Sequence, residues 1–334
     1  MANPIAKLPA EILGKKTLRL GFGSSQLLWR DRREALRLLE TAIDCGITYF
    51  DTARMYCGGE SEGILGEVVS RDRQRLILAS KAGILPRTRS ILARGATKSI
   101  RLIHKIAPGT KSYLPVPRGA YRFGAFDPVD VRKSIETSLR KLRTDYLDVF
   151  LLHECAEAHI GRPELISYLN DLKIEGKIRA LGIATGIDET VNILQEASGL
   201  LDVVQIPNSV FDMNIRRISD FSRDITVTHS ALASGFKQLV HRLSQDDATA
   251  AEWRALTRVD PRSPTNVAQL LVAYALRANP GGIVLFFSAN PKNIAENVKL
   301  LNGSAIDDSQ IDGLETFLAK GLVEATRVHD LSRA

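Results

Sequence analysis

The stretch LDVFLLHECAEAHIGRPELISYLNDLKIEGKIRALGIA, residues 147–184, shows the structural repeat of this chain most clearly. It opens and closes with short apolar runs, LDVFLLH (147–153) and IRALGIA (178–184), which are typical of buried parallel strands. Between them, PELISYLNDLKIEG has apolar residues at helical spacing and ends at Gly176. A strand, a helix and a second strand in this order predict one unit of a parallel α/β sheet.

The same alternation continues over the rest of the sequence. Six further strand-like runs are LRLGFG (18–23), TYFD (48–51), LILASK (76–81), DVVQIP (202–207), ITVTHSA (225–231) and GIVLFFSA (282–289). Eight strands alternating with helices predict the α/β class and a single (β/α)8 TIM barrel, with residues 1–334 as one domain. A doubly wound sheet is the alternative, but the run GFGSSQ after the first strand lacks the third glycine of a G-x-G-x-x-G fingerprint.

Several segments lie outside this regular alternation. EILGKKTLRLGFG predicts an N-terminal β-hairpin with its turn at Gly14 and Lys15. Long loops are predicted after strand 3, over residues 84–126, and after strand 7, over residues 232–264. Both would lie at the barrel end where enzymes of this architecture carry their active sites. Residues 323–334 are predicted to be a polar tail, and Asp188 and Ser61 are predicted to cap helix starts.

The positive charge of the chain is concentrated in one segment. The net charge is +7, yet residues 84–126, which we call the basic segment, hold nine cations and no acidic residue. The cations are Arg87, Arg89, Arg94, Lys98, Arg101, Lys105, Lys111, Arg118 and Arg122. The rest of the chain is slightly acidic, so a general nucleic-acid surface is not predicted. Three interpretations stay open: a solvated lid, an attractor of an anionic substrate or cofactor phosphate, and a short basic helix on a membrane or partner.

The cysteine content and the hydropathy predict a cytoplasmic protein. Cys45, Cys57 and Cys155 are few and widely spaced, which indicates neither a disulfide framework nor a zinc site, and no metal is predicted. The N-terminus lacks an apolar signal-peptide core, and no apolar run approaches the length of a membrane helix. A reducing compartment and no membrane association are therefore expected.

Four polar residues at or just after strand ends form a coherent acid–base set. They are Asp51, Tyr56, Lys81 and His153, which follow three successive predicted strands. A tyrosine has an ordinary pKa near 10, and an adjacent ammonium is expected to lower it and make proton transfer feasible. Asp51 would hold Lys81 in place, and His153 could bind a substrate oxygen. The set suits protonation of an oxygen as hydride reaches carbon, which requires a cofactor because no side chain donates hydride.

Several spaced motifs resemble the aldo-keto reductase family. They are AIDCGITYFDTARMYCGGESEGILG (42–66), ILASKAG around Lys81, DYLDVFLLHE around His153, GKIRALGIATG from Gly176, VVQIPNSV around Gln205 and IVLFFSANPKNIAENV near the end. The resemblance extends from residue 18 to residue 318. It implies a (β/α)8 barrel that binds an extended nicotinamide dinucleotide without a Rossmann fold, and an NAD(P)H-dependent oxidoreductase acting on a small aldehyde, ketone, alcohol or sugar.

The resemblance also implies roles for individual residues. Asp51, Tyr56, Lys81 and His153 match the family's catalytic tetrad, with Tyr56 as the general acid or base. Cofactor contacts are implied for Gly23, Ser24, Asp51, Thr185, Gln205, His229, Ser230, Leu232, Ser234, Ser288, Glu296 and Asn297. Gln205 matches the residue that holds the nicotinamide carboxamide, and His229 matches an aromatic residue that stacks on the nicotinamide. Substrate contacts are implied for Trp29, Tyr56 and His153.

This chain departs from the family pattern at the cofactor site. Ala184 and Thr185 replace a Ser-Asn pair that binds the carboxamide. Phe287 and Asn293 occupy positions where NADP-specific members have Lys and Arg. A 2′-phosphate is bound best by cations, and Lys292 is the nearest substitute. The resemblance to the family favours NADP(H) as the cofactor, with NAD(H) as the alternative.

Two other functions are compatible with these residues. The same barrel could serve as a non-catalytic nicotinamide-binding regulatory subunit, although a complete tetrad argues against it. The altered cofactor positions would also suit a biosynthetic variant that performs net non-redox chemistry. An oxidoreductase would bind the cofactor and turn over substrate, and a regulatory subunit would bind the cofactor without turnover. A biosynthetic variant would turn over substrate without net redox change.

Overall fold

The eight predicted strands close into one parallel barrel. The structure is a computed structural model that describes residues 10–27, 31–86, 120–221, 225–233, 235–302 and 306–320. The eight strands lie around the barrel in chain order, and the last strand pairs with the first. The barrel strands are β3 (Leu20–Gly23), β4 (Tyr49–Asp51), β5 (Ile77–Ala82), β8 (Leu147–His153), β9 (Ile178–Ala184), β10 (Val203–Pro207), β11 (Ile225–His229) and β12 (Ile283–Phe286). The predicted (β/α)8 barrel is confirmed, and the doubly wound alternative is wrong.

Helices follow the strands and surround the barrel. The helices are α1 (Arg32–Asp44), α2 (Ser61–Val69), α3 (Pro128–Leu142), α4 (Glu157–Ile160), α5 (Pro163–Ile174), α6 (Ile187–Ala197), α7 (Gly235–Gln245), α8 (Asp247–Thr257), α9 (Pro264–Ala278), α10 (Pro291–Lys299) and α11 (Asp308–Ala319). Their apolar faces cover the outer side of the strands, as in the cluster that joins Leu39, Phe50, Leu65 and Phe150. Strands covered on both sides must be apolar throughout, which explains the continuous apolar runs of the sequence.

The N-terminal hairpin packs against the interior of the barrel. Strands β1 (Ala10–Ile12) and β2 (Lys15–Thr17) pair antiparallel. Ile12 is buried in the same cluster as Tyr49, Ile77 and Val149 of the barrel strands. Lys15 Nζ also lies 2.9 Å from Asp148 Oδ1 on β8. The hairpin therefore lies at the amino ends of the barrel strands, opposite the end where the polar strand-end residues lie.

Two local predictions, the hairpin turn and the capping residues of two helices, are wrong. The hairpin turn is Leu13–Gly14, with φ of 53° and 74°, so Lys15 already belongs to β2. Asp188 lies in the first turn of α6, and Ser61 is the first residue of α2, so neither occupies the capping position. The predicted loop over 232–264 contains the helices α7 and α8, because its apolar residues, such as the buried Trp253, have helical spacing.

The two ends of the basic segment are held together. Strands β6 (Leu85–Pro86) and β7 (Tyr121–Arg122) pair antiparallel, and Ala125 N donates to Gly83 O over 2.9 Å. Gly83 has φ of 115°, and a Cβ there would lie 2.4 Å from the Phe126 ring, so only glycine fits. Arg122 pairs with Asp130 on the surface. Residues 87–119, and with them the other eight cations, lie outside the described residues, as does the predicted tail.

Candidate active site

The carboxyl ends of three neighbouring strands bring the predicted catalytic side chains together. Asp51 ends β4, Lys81 is the penultimate residue of β5, and His153 ends β8. Tyr56 follows β4 in a 3-10 turn over Tyr56–Gly59. Because all barrel strands are parallel, these ends meet at one mouth of the barrel. The four residues that the sequence indicated form a single site.

Lys81 and Asp51 form a buried ion pair. Lys81 Nζ lies 2.5 Å from Asp51 Oδ2, and the two side chains are 1% and 3% exposed. Lys81 Nζ also donates to Thr52 O over 3.0 Å. Burial raises the pKa of Asp51, and the Lys81 charge and a hydrogen bond from Gln205 oppose this rise. Burial lowers the pKa of Lys81, and the charges of Asp51 and Glu62 oppose that fall.

Tyr56 lies between the ammonium and an imidazole. Lys81 Nζ is 4.9 Å from the Tyr56 ring centroid, and the His153 ring meets the Tyr56 ring edge-on at 6.0 Å. Burial raises the pKa of Tyr56 well above 10, and the charges of Asp51, Glu154 and Cys57 add to the rise. The expected lowering by Lys81 is therefore wrong, because desolvation of the phenolate prevails. Tyr56 is held as a neutral phenol, which is the form that donates a proton.

Two histidines at the mouth are held neutral. Burial lowers the pKa of His153 well below 6.5, and the charges of Lys81 and His229 lower it further. Burial and Lys81 also lower the pKa of His229 to about 4. His229 ends β11, and its Nδ1 lies 2.8 Å from Ser230 Oγ. At neutral pH both imidazoles can bind a polar group without adding positive charge next to Lys81.

The backbone that carries Tyr56 has an unusual conformation. Cys57, Gly58 and Gly59 follow it with φ of 55°, 68° and 90°. Left-handed backbone is unfavourable for a residue with a side chain, so Cys57 is held there by its surroundings. Cys57 Sγ lies 3.7 Å from Ser24 O and 3.6 Å from Ser25 O. The turn directs the chain from β4 into α2 immediately after Tyr56.

Ser24 supports Asp51 from the backbone side. Its hydroxyl and its N–H both donate to Asp51 O, over 2.8 Å and 2.9 Å, and the Ser61 hydroxyl donates to Ser24 Oγ over 2.7 Å. The Ser24 side chain is fully buried, so the structure gives it a supporting position rather than one open to a cofactor. Gly23, its neighbour, ends β3 and is half-buried.

One buried polar atom at the barrel mouth fits a nicotinamide carboxamide. Gln205 lies on β10, is buried, and has no partner for Oε1 among the described residues, while its amide is bonded to Asp51. A buried acceptor without a donor is unfavourable unless a ligand supplies one. Thr185, by contrast, has its Oγ1 within 2.6 Å of the buried Thr190 Oγ1, so its hydroxyl is already bonded.

The other residues predicted to contact the cofactor follow strands β11 and β12. Ser230 is exposed with φ of 63°, and Leu232 is half-buried. Ser288 Oγ accepts from Asn290 N at the start of α10. Farther along that helix, Glu296 pairs with Lys299, and Asn297 is half-buried. Trp29 and Ser234 lie outside the described residues.

Phe287, one of the two departures, and Lys292, the nearest substitute cation, differ in environment. Phe287 is half-buried, and its ring centroid is 5.6 Å from that of Phe22. Lys292 is exposed in the first turn of α10, where the Asn290 side chain accepts from its backbone N–H. Lys292 therefore places a positive charge in the first turn of α10, whereas Phe287 supplies none.

A second buried carboxylate near the tetrad was missed by the sequence analysis. Glu62, in the first turn of α2, is fully buried and pairs with Arg54, and it accepts a hydrogen bond from Ser80. The signal available in the sequence was an acidic residue among the apolar positions of SEGILGEVV, next to the predicted tyrosine. Over the described ranges, no group of three His, Cys, Asp or Glu residues is arranged to hold a metal, and no helix is long and apolar enough to cross a membrane.

Comparison with known proteins places the chain in a family. The profile of the aldo/keto reductase family matches residues 19–319. The uncharacterized oxidoreductase YqkF of Bacillus subtilis is 22% identical over 323 residues, which cover 92% of this chain and 95% of YqkF. The NADH-specific methylglyoxal reductase of Escherichia coli is 29% identical over 204 residues, which cover 60% of this chain and 56% of the relative.

A solved structure agrees with the fold. An aldo/keto reductase from Klebsiella pneumoniae, in complex with NADP and acetate, aligns with a TM-score of 0.65 and 21% identity over 93% of this chain and 95% of that chain. The similarity confirms the (β/α)8 barrel. Because the family profile covers nearly the whole sequence, this chain belongs to the aldo/keto reductase family and is an oxidoreductase.

Proposed function

We propose that this oxidoreductase reduces the carbonyl group of a small aldehyde or ketone, with Tyr56 as the proton donor. The observation that carries the proposal is the neutral Tyr56 phenol, held beside Lys81 and the His153 ring. A phenol with a raised pKa keeps its proton until an oxygen that develops negative charge approaches it. The same residues would accept a proton in the reverse oxidation of an alcohol or sugar.

Each residue of the site has a defined task in this proposal. A nicotinamide dinucleotide, when bound, supplies the hydride. Gln205 Oε1 would accept from its carboxamide, and the half-buried ring of His229 is available to stack on the nicotinamide. His153, held neutral, would donate a hydrogen bond to the carbonyl oxygen and so orient it toward Tyr56. Lys81 would stabilise negative charge on Tyr56 after the proton has left.

For the cofactor we propose NADP(H), with NAD(H) as the alternative. Lys292 supports NADP(H), because its exposed ammonium can pair with a 2′-phosphate at the start of α10. The apolar Phe287 weakens that preference. One relative is named an NADH-specific reductase, and one structural neighbour was solved with NADP. We therefore expect both cofactors to be used, with a moderate difference between them.

For the substrate we propose a small polar carbonyl compound in the cytoplasm. The relative from Escherichia coli is named a methylglyoxal reductase, which makes short 2-oxoaldehydes the first compounds to test. The nine cations of the basic segment support the hypothesis of an anionic substrate, and 2-oxo acids test it. The few and widely spaced cysteines Cys45, Cys57 and Cys155 support a reducing compartment.

The experiment compares Tyr56→Phe with the wild-type protein. Cofactor binding is followed by quenching of intrinsic fluorescence, and turnover is followed at the nicotinamide absorbance band with aldehydes, ketones and aldoses. Tyr56→Phe should lower kcat by about 10²- to 10⁴-fold and leave the cofactor Kd nearly unchanged. Tyr168→Phe on the outer helix α5 is the matched control and should keep wild-type kinetics.

Three results would overturn the proposal or part of it. Wild-type activity in Tyr56→Phe would remove the proton-donor role. Tight cofactor binding without turnover of any carbonyl compound would favour a nicotinamide-binding regulatory subunit. A wild-type protein that binds neither NADPH nor NADH would refute the proposal as a whole.

A further inference from the structure

The active site has a second buried carboxylate that the tetrad does not include. The Glu62 side chain is completely buried at the start of α2. Arg54 Nη1 lies 2.8 Å from Glu62 Oε2, and Ser80 Oγ donates to Glu62 Oε1 over 2.8 Å. Both carboxylate oxygens are therefore engaged, and each is bonded to a different segment of the chain.

These two segments carry the proposed proton donor and its lysine. Arg54 lies two residues before Tyr56, and Ser80 directly precedes Lys81 on β5. Neighbouring residues of a strand project to opposite faces, so Glu62 approaches β5 on the face opposite Lys81. The Glu62 carboxylate thus ties Arg54, two residues before Tyr56, to the strand that presents Lys81.

Other side-chain contacts hold the same region together without joining Arg54 to Ser80. Thr52 Oγ1 donates to Ser61 Oγ over 3.2 Å, and Ser61 in turn donates to Ser24. Lys141 Nζ donates to Gly59 O at the end of the Tyr56 turn. Lys81 itself contacts the Tyr56 ring and Thr52 O, and the Glu62 carboxylate adds a second link, between Arg54 and Ser80, that does not involve Lys81.

Stability alone is a poor explanation of this pair. Two charges removed from water lose hydration that their attraction regains only in part, so apolar replacements of a buried ion pair are often equally stable. A charged pair at this position is better explained by the electrostatic effect of Glu62 on the neighbouring Lys81.

The charges that face Lys81 come from several elements. Asp51 on β4 and Glu62 on α2 are negative, His153 on β8 and His229 on β11 are neutral at pH 7, and Tyr56 lies over the ammonium. Burial lowers the pKa of Lys81, and the charges of Asp51 and Glu62 work against that fall. Glu62 therefore helps to keep Lys81 protonated.

We propose that Glu62 is a positioning residue of the active site, which fixes Tyr56 relative to Lys81 through Arg54 and Ser80 and supplies a second negative charge near Lys81. The inference rests on the proposed function of Tyr56 as proton donor. It assigns Glu62 no contact with substrate or cofactor.

The test compares three Glu62 variants with one control on the same helix. Glu62→Gln keeps the shape and removes the charge, Glu62→Asp keeps the charge, and Glu62→Ala removes both. Glu67→Gln is the control, because Glu67 pairs with Arg32 and Arg143 on the partly exposed side of α2. For each protein, kcat, KM and the cofactor Kd are measured between pH 6 and pH 10.

We expect the losses to appear in kcat rather than in binding. Glu62→Ala should lower kcat on the order of 10²-fold, as a displacement of about 1 Å between reacting groups does, and change the cofactor Kd by less than about 3-fold. Glu62→Gln should move the alkaline limb of the kcat profile to lower pH, since Lys81 loses a favourable charge. Glu62→Asp should restore the wild-type pH profile, and Glu67→Gln should behave as wild type.

A second measurement does not depend on activity. The rate at which acetic anhydride labels Lys81 in the cofactor-free protein, followed by mass spectrometry against pH, reports the Lys81 pKa. Glu62→Gln should show labelling at lower pH than wild type. If Glu62→Gln fails to fold, Arg54→Met with Glu62→Gln removes both charges of the pair and is measured instead. A smaller downward shift is then expected, because the loss of the Arg54 cation opposes the loss of the Glu62 anion.

The outcomes separate this inference from the proposed function. Unchanged labelling and an unchanged kcat profile in Glu62→Gln would overturn the role of Glu62 while the wild-type enzyme remains active. Equal falls in kcat for Glu62→Ala and Glu67→Gln would show a general structural effect and would also overturn it. A wild-type protein without cofactor binding refutes the proposed function, and the labelling experiment still tests the charge effect.

Discussion

Replacing the buried pair of Asp51 and Lys81 tests the electrostatic description of this site. The variants are Asp51→Asn, Lys81→Met and the double variant with both changes. Asparagine keeps an acceptor for the Gln205 amide, so the first variant removes mainly the charge. The measured quantity is the free energy of unfolding at pH 7, together with kcat.

The magnitudes follow from the burial of both groups. Asp51→Asn leaves the Lys81 ammonium buried beside a neutral amide, and breaking a buried pair from one side lowers the free energy of unfolding by about 3–5 kcal/mol. The remaining charge of Glu62 places the expected value at the lower end. Lys81→Met should lower it by about 1–3 kcal/mol, because Asp51 can take up a proton.

The directions of the two pKa shifts predict the behaviour of the double variant. The pKa of Asp51 is raised above 3.8, so the folded protein binds more protons just above that pH and stability falls as pH rises through the raised value. The pKa of Lys81 is lowered below 10.5, so stability rises with pH between the lowered value and 10.5. Both shifts disfavour the charged pair in the folded state near neutral pH. The double variant should therefore equal the wild type or exceed it by up to about 4 kcal/mol.

The assay is urea unfolding followed by circular dichroism at pH 7 and at pH 9. All three variants should lack carbonyl reduction, so stability and activity separate in the double variant. If the double variant is no more stable than Asp51→Asn, the two side chains do not act as a coupled pair, and the reasoning from burial is wrong.

Three further predictions concern the cofactor site. Gln205→Leu should weaken binding of reduced and oxidised nicotinamide cofactor about 2- to 10-fold, measured by fluorescence titration, and unchanged affinity would contradict the carboxamide contact. Lys292→Ala should reduce the preference for NADPH over NADH by about 2- to 5-fold in kcat/KM, because the lysine is exposed, and a constant ratio would exclude Lys292 from phosphate binding. The pKa of His229 falls from 6.5 to about 4 in the folded protein, so wild-type stability should decrease by about 1–3 kcal/mol as pH falls from 6.5 to 4. In urea unfolding at pH 4.5 and pH 7, His229→Tyr should show a smaller decrease in the free energy of unfolding at the lower pH than the wild type. An equal decrease in both proteins would contradict the lowered pKa of His229.

Much of the fold could be predicted because the barrel imposes a strong pattern. Strands covered by helices on one side and by the barrel interior on the other must be apolar, and runs such as LDVFLLH are therefore visible in the sequence. The tetrad could be predicted for a related reason. In a parallel barrel the strand ends meet at one mouth, so polar residues at those ends become neighbours whatever their separation along the chain.

Features that depend on three-dimensional burial could not be predicted. The sequence places Lys81 near Tyr56, but the sign of the Tyr56 pKa shift depends on how much water the fold removes from the phenol. Ser24 was expected at the cofactor, yet its hydroxyl binds a backbone carbonyl that only the folded chain brings near. The partnership of Glu62 with Arg54 and Ser80 joins three elements, and no spacing along the chain encodes it.

The paired ends of the basic segment have a consequence for engineering. Pro86 and Tyr121 are register partners, and the contact of Gly83 with Phe126 closes the base of the segment. Because the two ends of the segment are paired, its length can change without moving them. The entropic cost of closing a loop grows only slowly with the number of residues in it. Residues 87–119 can therefore be treated as a cassette, to be shortened or exchanged between relatives while β5 continues to present Lys81.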